Sequence, residues 1–308
     1  MTLSLKCGGV LREKRGTDGV GGMSSRRSFS LGKALSNAVT GVPAAWGGAW
    51  LSLVLLWAAV AGWPLIFLHF LHMPFGKAPV LGWIVVLWLL KLVALGALYR
   101  TFVFGRMAAA EGRGPGGLQF GAPEVRLLFA TLIIALFIAM VVIAGLFVLA
   151  IAFDFSGLAT GYNSSLAGWH AALMRHHSVL DWTFIILPLL LLMFLVFVAM
   201  KLALAPVATI AEKRLVTLNA MGLSAGNVGK LFVGVVVLAL PFVAVGAFVM
   251  HHMPHHGMMR PATLPTTGLH MHLLLHAILA ALSVGLLLPL QTGFLAAAYR
   301  QIVELRAK

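Results

Sequence analysis

The sequence predicts an all-α polytopic membrane protein: a transmembrane helical bundle of six spans, organised as three repeated units of interfacial helix plus helical hairpin. Three observations predict this. Of 308 residues, 61% are hydrophobic and only 10% charged, whereas a soluble domain needs about a quarter of its residues charged to solvate its surface. Six apolar stretches each approach the ~20 residues that cross a hydrocarbon core as a helix. The bases of the connecting segments are also segregated between alternate loops, as orientation in a bilayer demands.

Along the chain, residues 1–28 come first: glycine- and charge-rich, without periodicity, and expected to be disordered and basic. Met23, followed by Ser24-Ser25-Arg26-Arg27, reads as an alternative start to Met1. A membrane domain over 29–300 and a cytoplasmic tail over 301–308 follow. The six spans are Ala49–Leu68, Val80–Leu98, Leu127–Phe153, Trp182–Met200, Leu231–Met250 and Leu273–Tyr299. Backbone groups in lipid must find partners within their own segment, so these stretches are helices. Lys91 in the second and His276 in the sixth are the ionisable residues within them.

Placing both termini in the cytoplasm puts eighteen Lys and Arg residues inside and three outside (Lys77, Arg175 and Arg260). The positive-inside rule therefore selects that orientation, in a bacterial inner membrane. The net charge of +14 then serves topology and anionic headgroups on the cytoplasmic face, with no nucleic-acid partner. The single cysteine, Cys7, excludes an intramolecular disulfide and any cysteine-based metal cluster.

Three short segments start alike ahead of a helix pair: Phe29-Ser30-Leu31-Gly32, Leu118-Gln119-Phe120-Gly121 and Leu223-Ser224-Ala225-Gly226. Each pair closes on a base, at Tyr99-Arg100, Met200-Lys201 and Tyr299-Arg300. These matches predict three repeats, each led in by an amphipathic helix lying flat on the cytoplasmic leaflet. With the run Lys201–Arg214 leading into Gly222–Phe232, the lead-ins resemble an uncharacterised group of bacterial six-helix membrane proteins. That group is similar to the membrane domain attached to some glycerophosphoryl diester phosphodiesterases. The resemblance spans roughly residues 29–300 and implies the same six-helix fold. The soluble phosphodiesterase domain is absent, so it implies no such activity, and no site residue of that family maps onto this chain.

Gly222-Leu223-Ser224-Ala225-Gly226 matches G-x-S-x-G, but a hydrolase serine needs a strand before it and a helix after it, and no strand is predicted here. Ser224 is thus expected to be structural. Lys91 lies too deep to reach headgroups easily, and no acid lies within a span to pair with it. The expectation is a lysine packed on carbonyls freed by Pro188, Pro241 or Pro289, or on Gln291, with a substrate or proton role as the alternative.

All twelve histidines fall on the predicted outer side, joined there by several methionines. Imidazole with thioether suits copper, and imidazole alone suits zinc. His69 and His72 are spaced i, i+3, and His272 and His276 i, i+4, so each pair shares a helical face. If the first and sixth helices are neighbours, the four rings form a candidate site, with His251, His252, His255 and His256 as a second, loop-borne group. A bis-histidine haem and a pH sensor are further uses. The bland alternative is that outer loops need polarity without Lys or Arg, which neutral histidine supplies. The sequence expectation is a non-enzymatic membrane protein with a transport or membrane-organising role. The alternatives are a metal-handling protein that binds copper or zinc, and a haem or metal enzyme.

Overall fold

The structure, a computed structural model, describes residues 29–71, 77–105, 115–155, 179–252 and 266–307. The side chains of 67–71, 77–78, 115, 152–155, 179–185, 250–252 and 266–272 lie outside this description. The described chain is helical, with no strand among these residues. In order come α1 (Leu31–Leu71), α2 (Lys77–Phe104), a 3-10 turn (Pro115–Gly117), α3 (Ala122–Phe155), α4 (Val179–Leu202), α5 (Ala205–Ala211), α6 (Ala220–Leu223), α7 (Val228–His252), α8 (Thr266–Leu282), a π turn (Ser283–Leu287) and α9 (Leu288–Ala307). Six helices are long and apolar enough to cross a membrane, and each contains or overlaps one stretch expected from hydropathy. The chain is a multi-pass membrane protein.

Its centre is a trio. α1 packs on α2, α8 and α9, while α9 also meets α2. The contact faces carry small side chains: Ala34, Ala38, Ala45 and Ala49 on α1, Ala94 and Ala97 on α2, and Ala296, Ala297 and Ala298 on α9, all buried. Lipid tails are as apolar as leucine, so helices in a bilayer associate where small residues let backbones approach. α3 with α4, and α7 against α9, flank this trio. Phe29 and Ser30 meet Asn227 and Gln301 through backbone N–H donation, at 3.3 and 2.9 Å, so the start and end of the domain lie together. We call that end the basic end, because it also holds Arg100, Lys201 and Lys230.

α1 runs through a kink at Ala49 (φ −135°, ψ 17°). The 3-10 turn explains its position. Gly116 (φ 60°) and Gly117 (φ 79°) press their backbone onto α1, where an added Cβ on Gly117 would stand 2.8 Å from the Gly48 carbonyl oxygen. Only glycine combines that left-handed backbone with such an approach. The kink separates the arm 31–48 from the spanning part that begins at Ala49, as the hydropathy reading places it.

The stretch after α4 holds the short helix α5, in which Ala205, Val207, Ala208, Thr209 and Ile210 are buried, wedged among α2, α3 and α9. The equivalent lead-in of the first unit is the arm of α1. α5 also carries Pro206 at its start, and Thr209 Oγ1 donates to the Ala205 and Val216 carbonyls while accepting from the Val216 N–H, so its polar groups are met within the protein. The residues expected to form the cytoplasmic tail are helical, continuing α9 as far as Ala307.

Candidate functional site

Of the histidines singled out by sequence, His276 is described in full. His69 lies on α1, His251 and His252 end α7, and His272 lies in α8, all with side chains outside the description; His72, His255 and His256 are outside the described residues altogether. The first and sixth spans are neighbours, the arrangement that a four-histidine site requires. Among the described residues no three His, Cys, Asp or Glu side chains gather at one point.

His276 has a definite task. Pro64 lacks an N–H, so the Val60 carbonyl one turn before it loses its helical partner. His276 Nε2 lies 3.1 Å from that oxygen. A carbonyl can only accept, so Nε2 carries the proton and Nδ1 is the nitrogen left to accept. The opposite helix repeats the device. Pro289 interrupts the sixth span, the backbone widens into the π turn just before it, and Trp46 Nε1 of α1 donates to the Gly285 carbonyl at 2.8 Å. Trp57 Nε1 adds a bond to the Ala277 carbonyl at 3.1 Å. Each helix thus caps a carbonyl that proline strips from the other. The three bonds also fix the antiparallel register. His69 lies nine residues beyond Val60, about 13 Å further toward the histidine-rich end than the level of His276.

Beside this seam, α1, α7 and α8 enclose a cleft of about 340 Å³ lined by Val60, Phe242, Val245, His276, Leu279, Ala280, Leu282 and Ser283. Ser283 Oγ is turned onto the Ala280 carbonyl at 3.0 Å, which leaves the His276 ring as the polar feature of an apolar wall.

The basic end holds a second constellation. Arg100 of α2 and Glu124 of α3 form an ion pair, 4% and 0% exposed as whole residues. Arg100 also donates to Gln119 Oε1 at 3.2 Å and, through Nε, to the Gly96 carbonyl at 3.4 Å. Glu124 Oε2 accepts the Gly121 N–H at 2.9 Å, closing half of a capping box at the start of α3. Gly96 makes room: a Cβ there would stand 2.9 Å from Glu124 Oε1. A cavity of about 70 Å³ adjoins the pair, lined by Arg100, Phe104, Pro123, Arg126, Thr209, Ile210 and Lys213. Lys213 has φ 53°, a backbone region that non-glycine residues seldom occupy, and its Nζ sits 5.8 Å from the Phe104 ring centre. Glu124 pairs with Arg100, and Arg126 and Lys213 add two further cationic side chains to the cavity wall.

Ser224 is held by packing and hydrogen bonding. It follows the four-residue helix α6, is buried, and donates to the Lys201 carbonyl near the end of α4 at 2.8 Å. Lys91 departs from expectation. It is exposed on α2, no hydrogen bond or ion pair reaches it among the described residues, and the Pro289-freed carbonyl proposed for it is taken by Trp46. Sequence reasoning missed Glu124 and Arg126 as site residues because each reads as an ordinary loop-end charge. Pro64 at the fourth position after Val60 was a legible signal for the His276 bond. No protein-family profile matches the chain, and no curated protein or solved structure is significantly similar to it.

Proposed function

We propose that the chain is a non-enzymatic protein of a bacterial inner membrane, with both termini cytoplasmic, that organises the membrane by holding an anionic phospholipid headgroup at its basic end. The observation that carries this reading is the cavity between α2, α3 and α5, with Arg126 and Lys213 on its wall and the first turn of α3 beside it. A helix N-terminus and two cations together favour a phosphate. Phe104 and Ile210 supply an apolar flank for the glycerol and upper acyl carbons. The charge asymmetry of the loops supports the orientation. Kinship with the membrane domain attached to glycerophosphoryl diester phosphodiesterases belongs to the same proposal.

Native mass spectrometry of the protein from nanodiscs of mixed phosphatidylglycerol and phosphatidylcholine tests the reading. The expected result is one retained phosphatidylglycerol, lost in the Arg126→Ala/Lys213→Ala double variant. Equal retention of both lipids, or retention unchanged in the double variant, overturns it. Reporter fusions at Gly114, Ser165, Asn219 and Gly257 test the orientation separately. Gly114 and Asn219 are expected inside, Ser165 and Gly257 outside; Asn219 outside or Gly257 inside defeats the topology.

A second reading, transport of an apolar compound, draws on the cleft beside His276. Helices broken by proline near the membrane midplane are where transporters build binding sites, and Pro64 and Pro289 break two of the helices that meet along this seam.

A further inference from the structure

Lys91 lies at the middle of α2, thirteen residues short of Phe104 and fourteen past Lys77. At 1.5 Å per residue each end is about 20 Å away, beyond the reach of a four-carbon side chain. A lysine so placed is costly unless something meets its charge. Among the described residues nothing does: Lys91 is exposed, and no hydrogen bond or ion pair reaches it. One turn before it on the same face, Trp88 is 38% exposed, and a turn earlier Ile84 is 48% exposed. Ile84, Trp88 and Lys91 follow one another at spacings of four and three, the stripe by which one helix seats another. The stripe offers two kinds of donor, an ammonium and an indole N–H, and a thioether or amide acceptor does not occur on it.

The occupant must therefore bring an acceptor, and a negative one, to the membrane midplane. A phospholipid headgroup is too shallow. A second copy has no suitable carboxylate: Asp154 and Asp181 stand at the ends of α3 and α4, Glu124 is buried against Arg100 at the basic end, and the remaining acids lie outside the spans. We infer that the Ile84–Lys91 face of α2 is the docking surface for a transmembrane helix of another protein, one that carries an Asp or Glu at mid-membrane depth opposite Lys91. The pair buries two charges together in a medium where neither is stable alone, so it selects both the partner and its depth. This assignment is independent of the lipid site, which lies at the basic end.

The single cysteine, Cys7, allows the full chain to be labelled with one donor fluorophore and reconstituted in phosphatidylcholine vesicles. The probe is an acceptor-labelled leucine–alanine transmembrane peptide with Glu, Gln or Leu at its centre. Energy transfer is expected to show about tenfold tighter association of the Glu peptide than of the Leu peptide, the effect of a 1–2 kcal/mol polar pair in a membrane. Lys91→Met should remove that preference, and Lys91→Glu should transfer it to a peptide with a central Lys. Equal association of all peptides, or a Glu preference that survives in Lys91→Met, overturns the inference. So does energy transfer between donor- and acceptor-labelled copies without peptide that is lost in Lys91→Met, because it would assign the face to self-association.

Discussion

The α1–α2–α9 trio and the α3–α4 hairpin are both apolar, the hairpin the more so, but they are built in opposite ways. The trio meets through alanine, with Ala38, Ala45, Ala49, Ala94 and Ala296 at or near zero exposure. On the hairpin, large side chains face outward: Leu136, Met140, Ile143, Phe147, Leu192 and Met193 are each more than half exposed, and nothing in the most apolar stretch of α3 is buried. In water the larger hydrophobes would have been drawn inside. In lipid no such pull exists, so the interior goes to whichever residues let backbones come close. Leu53, Leu92, Leu98 and Phe294 are buried in the trio as well, so small size here marks the close helix contacts, while the lipid-facing hairpin keeps its large side chains outside.

The largest expected effect tests where the trio is joined to the hairpin. Glu124→Ala leaves Arg100 buried without its carboxylate and should cost about 3–5 kcal/mol. The Arg100→Met/Glu124→Leu double variant should recover most of that loss, as read by thermal unfolding in detergent. A single variant as stable as wild type would show the pair to be exposed to water.

A smaller effect separates the two regions directly. Ala38→Leu overfills the seam and should destabilise by about 1–3 kcal/mol, while Ile143→Ala on the hairpin should stay within about 0.5 kcal/mol. Equal losses at the two positions would erase the distinction.

The smallest effect concerns the carbonyl caps. His276→Ala exposes the Val60 carbonyl to an apolar setting and should cost about 1–2 kcal/mol. Adding Pro64→Ala restores a backbone N–H to that carbonyl, so the second change should offset much of the first. Losses that simply add would mean that the His276 bond is incidental.

The six spans were legible because bilayer thickness imposes a length that any apolar run either meets or fails. Which face of each span turns inward was not, because alanine and leucine look alike to a hydropathy sum. Residues 205–211 show a related limit. A mixed polar and apolar composition carries no signal for the pocket of matched hydrogen bonds in which Thr209 meets the Ala205 and Val216 carbonyls. Lys91 was flagged by its depth, but its exposure depends on how α2 is rotated about its axis, which one sequence does not encode in any local signal. Of the histidines, the sequence showed their clustering and missed the task of the one fully described.

The burial of α5 has a consequence for how the protein is made. The segment leaves the ribosome after four spans and before the last two, yet it ends wedged against α2, α3 and α9. Two of those neighbours are already present when it emerges, and the third is the final helix to be synthesised. Until α9 arrives, Val207 and Ile210 have no complete enclosure, and the wedge waits half-seated at the membrane surface. The final helix therefore acts as a latch on a piece of chain made long before it. A nascent protein stalled short of Leu288 should display residues 205–211 to proteases that the finished one excludes.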